Sequence, residues 1–118
     1  MFRAFLEKLV DGCEGAVGGV VMGFDGVAID AISRKSDLDV KTISMEFSFV
    51  LTQVRKAAEI LEVGALEEVS IHSAQLVFLV RVLSDEYFVA LVLGDGGNVG
   101  KGRFLLRMGL PVLRAEVL

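Results

Sequence analysis

The sequence predicts an α/β protein of the α+β kind, a three-layer α/β/α sandwich on a five-stranded, mostly antiparallel sheet. Its elements are expected in the order α-β-β-α-β-β-β-α, and strands that follow one another through short turns pair as antiparallel hairpins. Two of the strands are apolar throughout, so helices must cover both faces of the sheet. A chain of 118 residues forms one domain, which we expect to span residues 1–118.

Composition limits the classes of function. The chain is 53% hydrophobic with a mean hydropathy of +0.62, more apolar surface than a domain of this size can hide, which favours self-association. The net charge of −4 argues against binding to nucleic acid or to an anionic membrane. Charged residues interrupt the amphipathic N-terminus, and Arg81 interrupts the longest apolar run. We therefore expect neither a signal peptide nor a transmembrane helix, and a cytoplasmic protein.

The N-terminal part is predicted to hold a helix and a β-hairpin. The helix covers residues 2–11 and carries a buried stripe of Phe2, Phe5, Leu6 and Leu9. The strands cover residues 16–24 and 27–34, on either side of the hairpin signal Asp25-Gly26. Two glycines inside the first strand either weaken it or leave room for close approach of another backbone.

A long central helix is predicted over residues 41–64. We expect Thr42 or Ser44 to cap its start and Gly64 to end it. Three- and four-residue spacing predicts one core-facing stripe, formed by Ile43, Phe47, Val50, Val54, Ala57, Ala58 and Leu61.

The C-terminal part is predicted to hold three strands and a helix. The strands cover residues 66–72, 75–83 and 87–93, and the first is polar enough for a sheet edge. The last helix begins near Asn98, and Pro111 is expected to kink or restart it. Helical spacing predicts that its apolar positions include Phe104, Leu105, Met108, Val112 and Leu113.

The central helix carries a second stripe, about 120° from the first at ~100° per residue. This stripe consists of Met45, Phe49, Gln53, Lys56 and Ile60. Because it is neither core-like nor strongly charged, we predict an interface with a second copy or a partner, which Val69 and Ile71 join if their strand is the pairing edge. The alternative is that Met45, Phe49 and Ile60 contact only their own fold.

The order of elements and two segments together resemble the roadblock/LC7 domain over essentially the whole chain. The segments are GGVVMGFDGVAIDAI, with its hairpin tip, and YFVALVLGDGGNVGKGRFLLRMGLPVL, with its strand, glycine turn, Gly100-Lys101 and Arg103. Within that family, the stretches MGFDG, VLTQVRKAAE and GKGRFLLR are similar to the bacterial gliding-motility (Mgl) members, to the MglC type more than to the MglB type.

The resemblance implies a homodimer joined through the third strands, with the central helices antiparallel across the two-fold axis. It implies no bound nucleotide and no cofactor. It also implies an adaptor that acts by protein–protein binding around a Ras-like GTPase (MglA-type) in cell polarity and motility. The implied partners are an MglB-like roadblock protein, a RomR-like response regulator and the GTPase. The alternative function is direct activation of GTP hydrolysis on that GTPase.

No motif for catalysis or metal binding is complete in the sequence. The loop from Gly94 to Gly102 fits neither the P-loop nor the dinucleotide pattern and is better explained as a turn before a helix. Nothing places Cys13 beside His72, and one of each cannot form a zinc site. Asp37 and Asp39 lack the spacing of a calcium loop. We therefore predict no catalytic residue and no metal ligand.

Two alternatives stay open. An arginine finger for a GTPase could come from Arg34, Arg55 or Arg81, with Arg55 expected on the polar side of the central helix and Arg81 at an edge or in an ion pair. A small-molecule-binding domain of the same build would require a pocket.

Overall fold

The computed structural model describes residues 2–117 and contains the predicted elements in the predicted order. The N-terminal half comprises α1 (Arg3–Asp11), β1 (Ala16–Gly23), β2 (Ala28–Ser33) and α2 (Val40–Leu61). The C-terminal half comprises β3 (Glu68–His72), β4 (Val77–Val82), β5 (Tyr87–Leu93) and α3 (Val99–Val117). Among the described residues, no helix is both long and apolar enough to cross a membrane.

The five strands form one sheet in the order β2-β1-β5-β4-β3, and every neighbouring pair is antiparallel. The hairpin at Asp25-Gly26 joins β1 to β2, and Gly26 has the positive φ of 86° that such a turn requires. The helix α2 carries the chain from the β2 edge to the β3 edge. β3 therefore lies at a sheet edge, as predicted.

The helices form the two outer layers of the predicted α/β/α sandwich. On one face of the sheet, α1 and α3 pack on alternate residues of the central strands, among them Val89, Leu91 and Leu93. On the other face, α2 packs on the residues between them, Phe88, Ala90 and Val92. Both faces of β5 are buried, which explains its unbroken apolar sequence.

The two glycines of β1 allow close approach from opposite sides. A Cβ on Gly18 would overlap the side chain of Val40 at the start of α2. A Cβ on Gly19 would lie 3.2 Å from Cγ2 of Val10 in α1. The glycines do allow close approach, but the side chains of Val40 and Val10, and not another backbone, lie closest to this strand.

The ends of α2 differ from the prediction. Asp39 caps the start in place of Thr42 or Ser44, because its Oδ1 accepts a hydrogen bond from the Thr42 amide at 3.1 Å. The helix ends at Leu61, and Glu62 turns the chain in the left-handed conformation (φ 53°), ahead of Gly64.

The last helix also differs in one respect. Asn98 accepts a hydrogen bond from the Lys101 amide at 3.0 Å through its side-chain oxygen, so the predicted start is confirmed. Of the two expectations for Pro111, the restart is wrong, since α3 continues through this residue to Val117, and the kink stays a prediction. Leu106, Leu110 and Leu113 are buried on both sides of the proline and hold the helix on the sheet.

Candidate functional site

The core-facing stripe of α2 lies elsewhere than the periodicity predicted. Its fully buried positions are Val40, Ser44, Ser48 and Leu51. Of the predicted core residues, Ile43, Phe47 and Ala58 are half-buried, while Val50, Val54, Ala57 and Leu61 are exposed. The prediction was wrong because small serines, which polarity assigns to the surface, allow the helix to lie close to the sheet.

The outer face of α2 is consequently more apolar than expected. The predicted interface residues Met45, Phe49 and Ile60 are 39%, 59% and 81% exposed. Gln53 and Lys56, which share their stripe, are exposed as well. We call these five residues the Met45 stripe. An isolated surface helix normally shows charge at such positions, so this stripe is a candidate contact surface.

A second apolar flank runs along the other side of the same outer face. It consists of Val50, Val54 and Leu61, and we call it the Val54 flank. These residues are 48%, 36% and 68% exposed. They follow Phe47 at helical spacing, and the Phe47 ring packs on Phe78 of β4 with 4.8 Å between centroids. The Val54 flank therefore faces the β4–β3 side of the sheet.

The Met45 stripe faces the other way. An added Cβ on Gly26, in the β1–β2 turn, would lie 3.2 Å from Cγ of Met45. The predicted interface residues Val69 and Ile71 are half-buried in the cluster that holds Phe47, at the β3 edge of the sheet face that α2 covers. The structure thus groups Val69 and Ile71 with Phe47, whose side of α2 carries the Val54 flank, and not with the Met45 stripe.

The helix α3 shows a second exposed stripe. Phe104, Met108 and Val112 are 46%, 62% and 63% exposed, four residues apart. The sequence predicted these three residues, together with Leu105 and Leu113, as the apolar positions of the helix. Leu113 is buried and Leu105 is half-buried. The separate period of Leu106, Leu110 and Leu113 was the signal that distinguishes the core positions of this helix.

The three arginines considered as arginine fingers all hold contacts within the chain. Arg34 donates two hydrogen bonds of 3.0 Å to the carboxylate of Asp11. The guanidinium of Arg55 stacks over the Phe24 ring at 3.9 Å and donates to the carbonyl oxygen of Asp85.

Arg55 is half-buried, so its expected place on the polar side of α2 is wrong. Arg81 lies 3.8 Å from the carboxylate of Glu68, which is the ion pair that the sequence predicted. Since Arg34 and Arg55 already have hydrogen-bond partners, inserting either into a GTPase would first break those contacts, and Arg81 is only 18% exposed.

The glycine loop before α3 serves packing. The Asn98 amide donates to the Glu14 carbonyl oxygen at 2.9 Å, which ties the loop to the α1–β1 connection. Gly15 and Gly97 meet there so closely that a Cβ on Gly15 would overlap the Cα of Gly97. The loop therefore uses its glycines for a tight backbone crossing, as expected of a turn before a helix.

Residues 2–117 form neither a nucleophilic catalytic site nor a metal-binding cluster. The Cys13 thiol is buried, and burial raises its pKa, which disfavours the reactive thiolate. His72 lies on the edge strand β3, and β4 and β5 separate it from β1, which follows Cys13 in the chain. Asp39 is engaged as a helix cap. Within those residues, no three histidine, cysteine, aspartate or glutamate side chains cluster at metal-binding distance.

A cleft of about 560 Å³ lies between the C-terminal end of α2 and the β4–β5 turn. Its apolar lining includes Leu66 and Val82. Arg55 and Arg114 also line it, but Arg55 donates to Asp85 and the Nε of Arg114 donates to the Leu83 carbonyl oxygen at 3.1 Å. Both arginines therefore hold the β4–β5 turn in place. A small-molecule-binding function would require a pocket, and this cleft is the candidate for it.

The sequence and the fold were compared with those of known proteins. No family model matches the sequence, and no curated protein matches it. The chain is similar to the crystal structure of MglC from Myxococcus xanthus, with 42% identity over 98% of each chain and a TM-score of 0.71.

Two further structures share the fold at low identity. A roadblock/LC7 domain from Streptomyces avermitilis is 14% identical over 97% of this chain and 95% of its own, with a TM-score of 0.83. The gliding protein MglB from Thermus thermophilus is 13% identical over 96% of this chain and 85% of its own, with a TM-score of 0.82. One MglB structure is described in a tetrameric arrangement. At these identities the likeness concerns the fold alone.

Proposed function

Because the chain belongs to the roadblock/LC7 family, in the branch of the Mgl proteins of gliding motility, we propose that it is a non-catalytic homodimeric adaptor. It acts by protein–protein binding around a Ras-like GTPase of the MglA type, in the control of cell polarity and motility. An MglB-like roadblock protein and a RomR-like response regulator are its proposed partners. The observation that carries the proposal is the apolar outer face of α2.

This outer face is too apolar for a surface left in water. Phe49, Ile60 and Leu61 are each more than half exposed, and Met45, Val50 and Val54 extend the patch along the helix. Burying apolar surface contributes about 25 cal/mol per Å², so covering six such side chains favours association by several kcal/mol before the entropic cost. A second copy of the helix offers the same apolar surface, and a two-fold axis would pair the two faces.

The edge strand β3 supports the same dimer. In the described part of the chain, β3 pairs only with β4, so its outer backbone groups stay open to another strand. Val69 and Ile71 are half-buried apolar residues of this strand, in the same cluster as Phe47 of α2. We propose that the Val54 flank and β3 form the centre of the interface, with Met45, Phe49, Gln53, Lys56 and Ile60 extending it toward partner proteins.

Capture of one tagged copy by a differently tagged copy tests the dimer face. Wild type is expected to capture itself, whereas Val54→Asp is expected to lose capture because it buries a charge at the centre of the interface. Phe49→Asp is expected to weaken it. Met108→Asp is the matched control, since Met108 is 62% exposed on α3, away from α2. Capture by Val54→Asp and Phe49→Asp at the wild-type level would contradict the proposed face.

GTP turnover by the partner GTPase separates the adaptor from a direct activator. Arg34, Arg55 and Arg81 all hold intramolecular contacts, which supports the non-catalytic proposal. We expect equal turnover with and without this protein. Acceleration that is lost in Arg34→Ala, while Arg3→Ala keeps it, would instead identify an arginine finger.

A further inference from the structure

A cluster of charged side chains lies on the sheet face opposite α2, where β3 and β4 meet α3. Glu68 on β3 faces Arg81 on β4, and Arg103 and Arg107 extend toward them from α3. The four side chains, with Gly100 and Phe104, line a cavity of about 160 Å³. Three arginines and one glutamate leave two positive charges around it.

The single carboxylate of the cluster is already committed. Arg103 donates to both carboxylate oxygens of Glu68, from Nε at 2.6 Å and from Nη2 at 3.0 Å. This bidentate pair lowers the pKa of Glu68, and the charges of Arg81 and Arg107 lower it further. Glu68 is therefore ionised at neutral pH, and the excess of two positive charges holds there.

The other two arginines lack a comparable partner. Arg81 is only 18% exposed, yet its nearest carboxylate oxygen lies 3.8 Å away, and its buried Nε has no hydrogen-bond acceptor among residues 2–117. Within the same residues, no carboxylate lies within 4.0 Å of the Arg107 guanidinium, and Arg107 is exposed. A largely buried guanidinium whose charge is incompletely balanced is stabilised by a nearby anion.

We propose that this arginine cavity binds one phosphate-sized oxyanion, either inorganic phosphate or the terminal group of a phosphate monoester. Its volume of about 160 Å³ leaves room for a tetrahedral oxyanion. A phosphate dianion balances the two excess charges. Guanidinium groups bind phosphate oxygens through paired N–H donors, and Arg81 and Arg107 supply them from two elements.

Calorimetric titration of the full chain with inorganic phosphate at constant ionic strength tests the site. Wild type is expected to bind phosphate, and Arg107→Gln is expected to bind it at least about tenfold more weakly. Arg3→Gln is the matched control, because Arg3 is an exposed arginine paired with Glu7 on α1. Glu68→Gln is expected to bind phosphate more tightly, since it removes the competing carboxylate and releases Arg103.

Three outcomes would overturn the proposal. They are phosphate binding no stronger than that of acetate, equal binding by Arg107→Gln and Arg3→Gln, and loss of binding in Glu68→Gln with the fold intact by circular dichroism. A parallel titration with O-phosphoserine distinguishes the two sources, because tighter binding of the ester than of inorganic phosphate assigns the site to a monoester. Because Glu68 lies on β3, the proposed pairing edge, light scattering of each variant reports self-association separately from phosphate binding.

Discussion

Asp39 shows how one side chain sets the start of the central helix. Its Oδ1 accepts from the Thr42 amide at 3.1 Å, and its Oδ2 accepts from the Thr42 hydroxyl at 2.7 Å. The hydrogen bond from the Thr42 side chain, followed by that from its amide, lowers the pKa of Asp39. The carboxylate form is thus preferred in the folded state.

Replacing Asp39 with alanine is expected to lower the urea midpoint of unfolding, because the Thr42 amide loses its acceptor. A carboxyl group whose folded pKa is lowered stabilises the fold above its unfolded pKa, and this contribution is lost as the pH falls through the folded pKa. The difference between wild type and Asp39→Ala should therefore be constant at neutral pH and shrink below about pH 4. Asp37→Ala, at an exposed position two residues earlier, is the control. Equal midpoints for both variants at pH 7 would rule out the cap.

Ser44 carries a polar atom that the fold does not use. It is fully buried, and its Oγ has no hydrogen-bond partner among the described residues, whereas Oγ of the equally buried Ser48 donates to the Met45 carbonyl oxygen. Ser44→Ala is expected to stabilise the protein by about 1 kcal/mol, since it removes an unsatisfied hydroxyl and raises helix propensity. Urea denaturation measures the change. Ser48→Ala serves as the comparison, and a Ser44→Ala variant less stable than wild type would show that the hydroxyl is needed.

At the scale of elements, the sequence predicted the order of helices and strands and the burial of β4 and β5. It assigned the wrong face of α2 to the core. Two apolar flanks run along this helix, so a 3.6-residue period fits more than one orientation. The correct face is identified by Ser44 and Ser48, whose small size matters only once the helix rests on the sheet. Such packing depends on contacts between residues that are distant in sequence, and the sequence alone does not reveal which residues meet.

The seating of α2 on β1 depends on Gly18. An added Cβ there would overlap Val40 and lie 2.9 Å from the carbonyl oxygen of Ile32. Gly18→Ala is expected to destabilise the protein by about 1–3 kcal/mol, as overpacking does. Gly100→Ala is the control, because an added Cβ there meets nothing closer than 3.8 Å and helix propensity favours alanine. The free energy of unfolding of each variant is measured in denaturant. Equal stability of Gly18→Ala and wild type would show that α2 does not need this contact.

The predicted interface residues illustrate what lay beyond the reach of the sequence. The helical period was sufficient to single out Met45, Phe49 and Ile60 as exposed apolar residues, and their exposure is found in the structure. Their position relative to Val69 and Ile71 depends on the tilt of α2 over the sheet, which no local pattern contains. The arginine cavity combines Glu68, Arg81, Arg103 and Arg107 from three elements, so it too appears only in the folded chain.

At the scale of the whole molecule, the charged and apolar surfaces are separated by the sheet. The exposed apolar residues of α2 lie on one side of the sheet, and the arginine cavity lies on the other side, beside β3. A dimer formed through α2 and β3 would leave α1 and much of α3 exposed. Phe104, Met108 and Val112 would then remain available on the outside of the dimer.

Light scattering during size-exclusion chromatography tests the central proposal, that the dimer formed by the α2 face is the functional unit. At micromolar concentration, wild type is expected at twice the chain mass of 12.7 kDa, Val54→Asp at 12.7 kDa and Met108→Asp at the wild-type mass. A wild-type mass of 12.7 kDa across the whole concentration range would contradict the account.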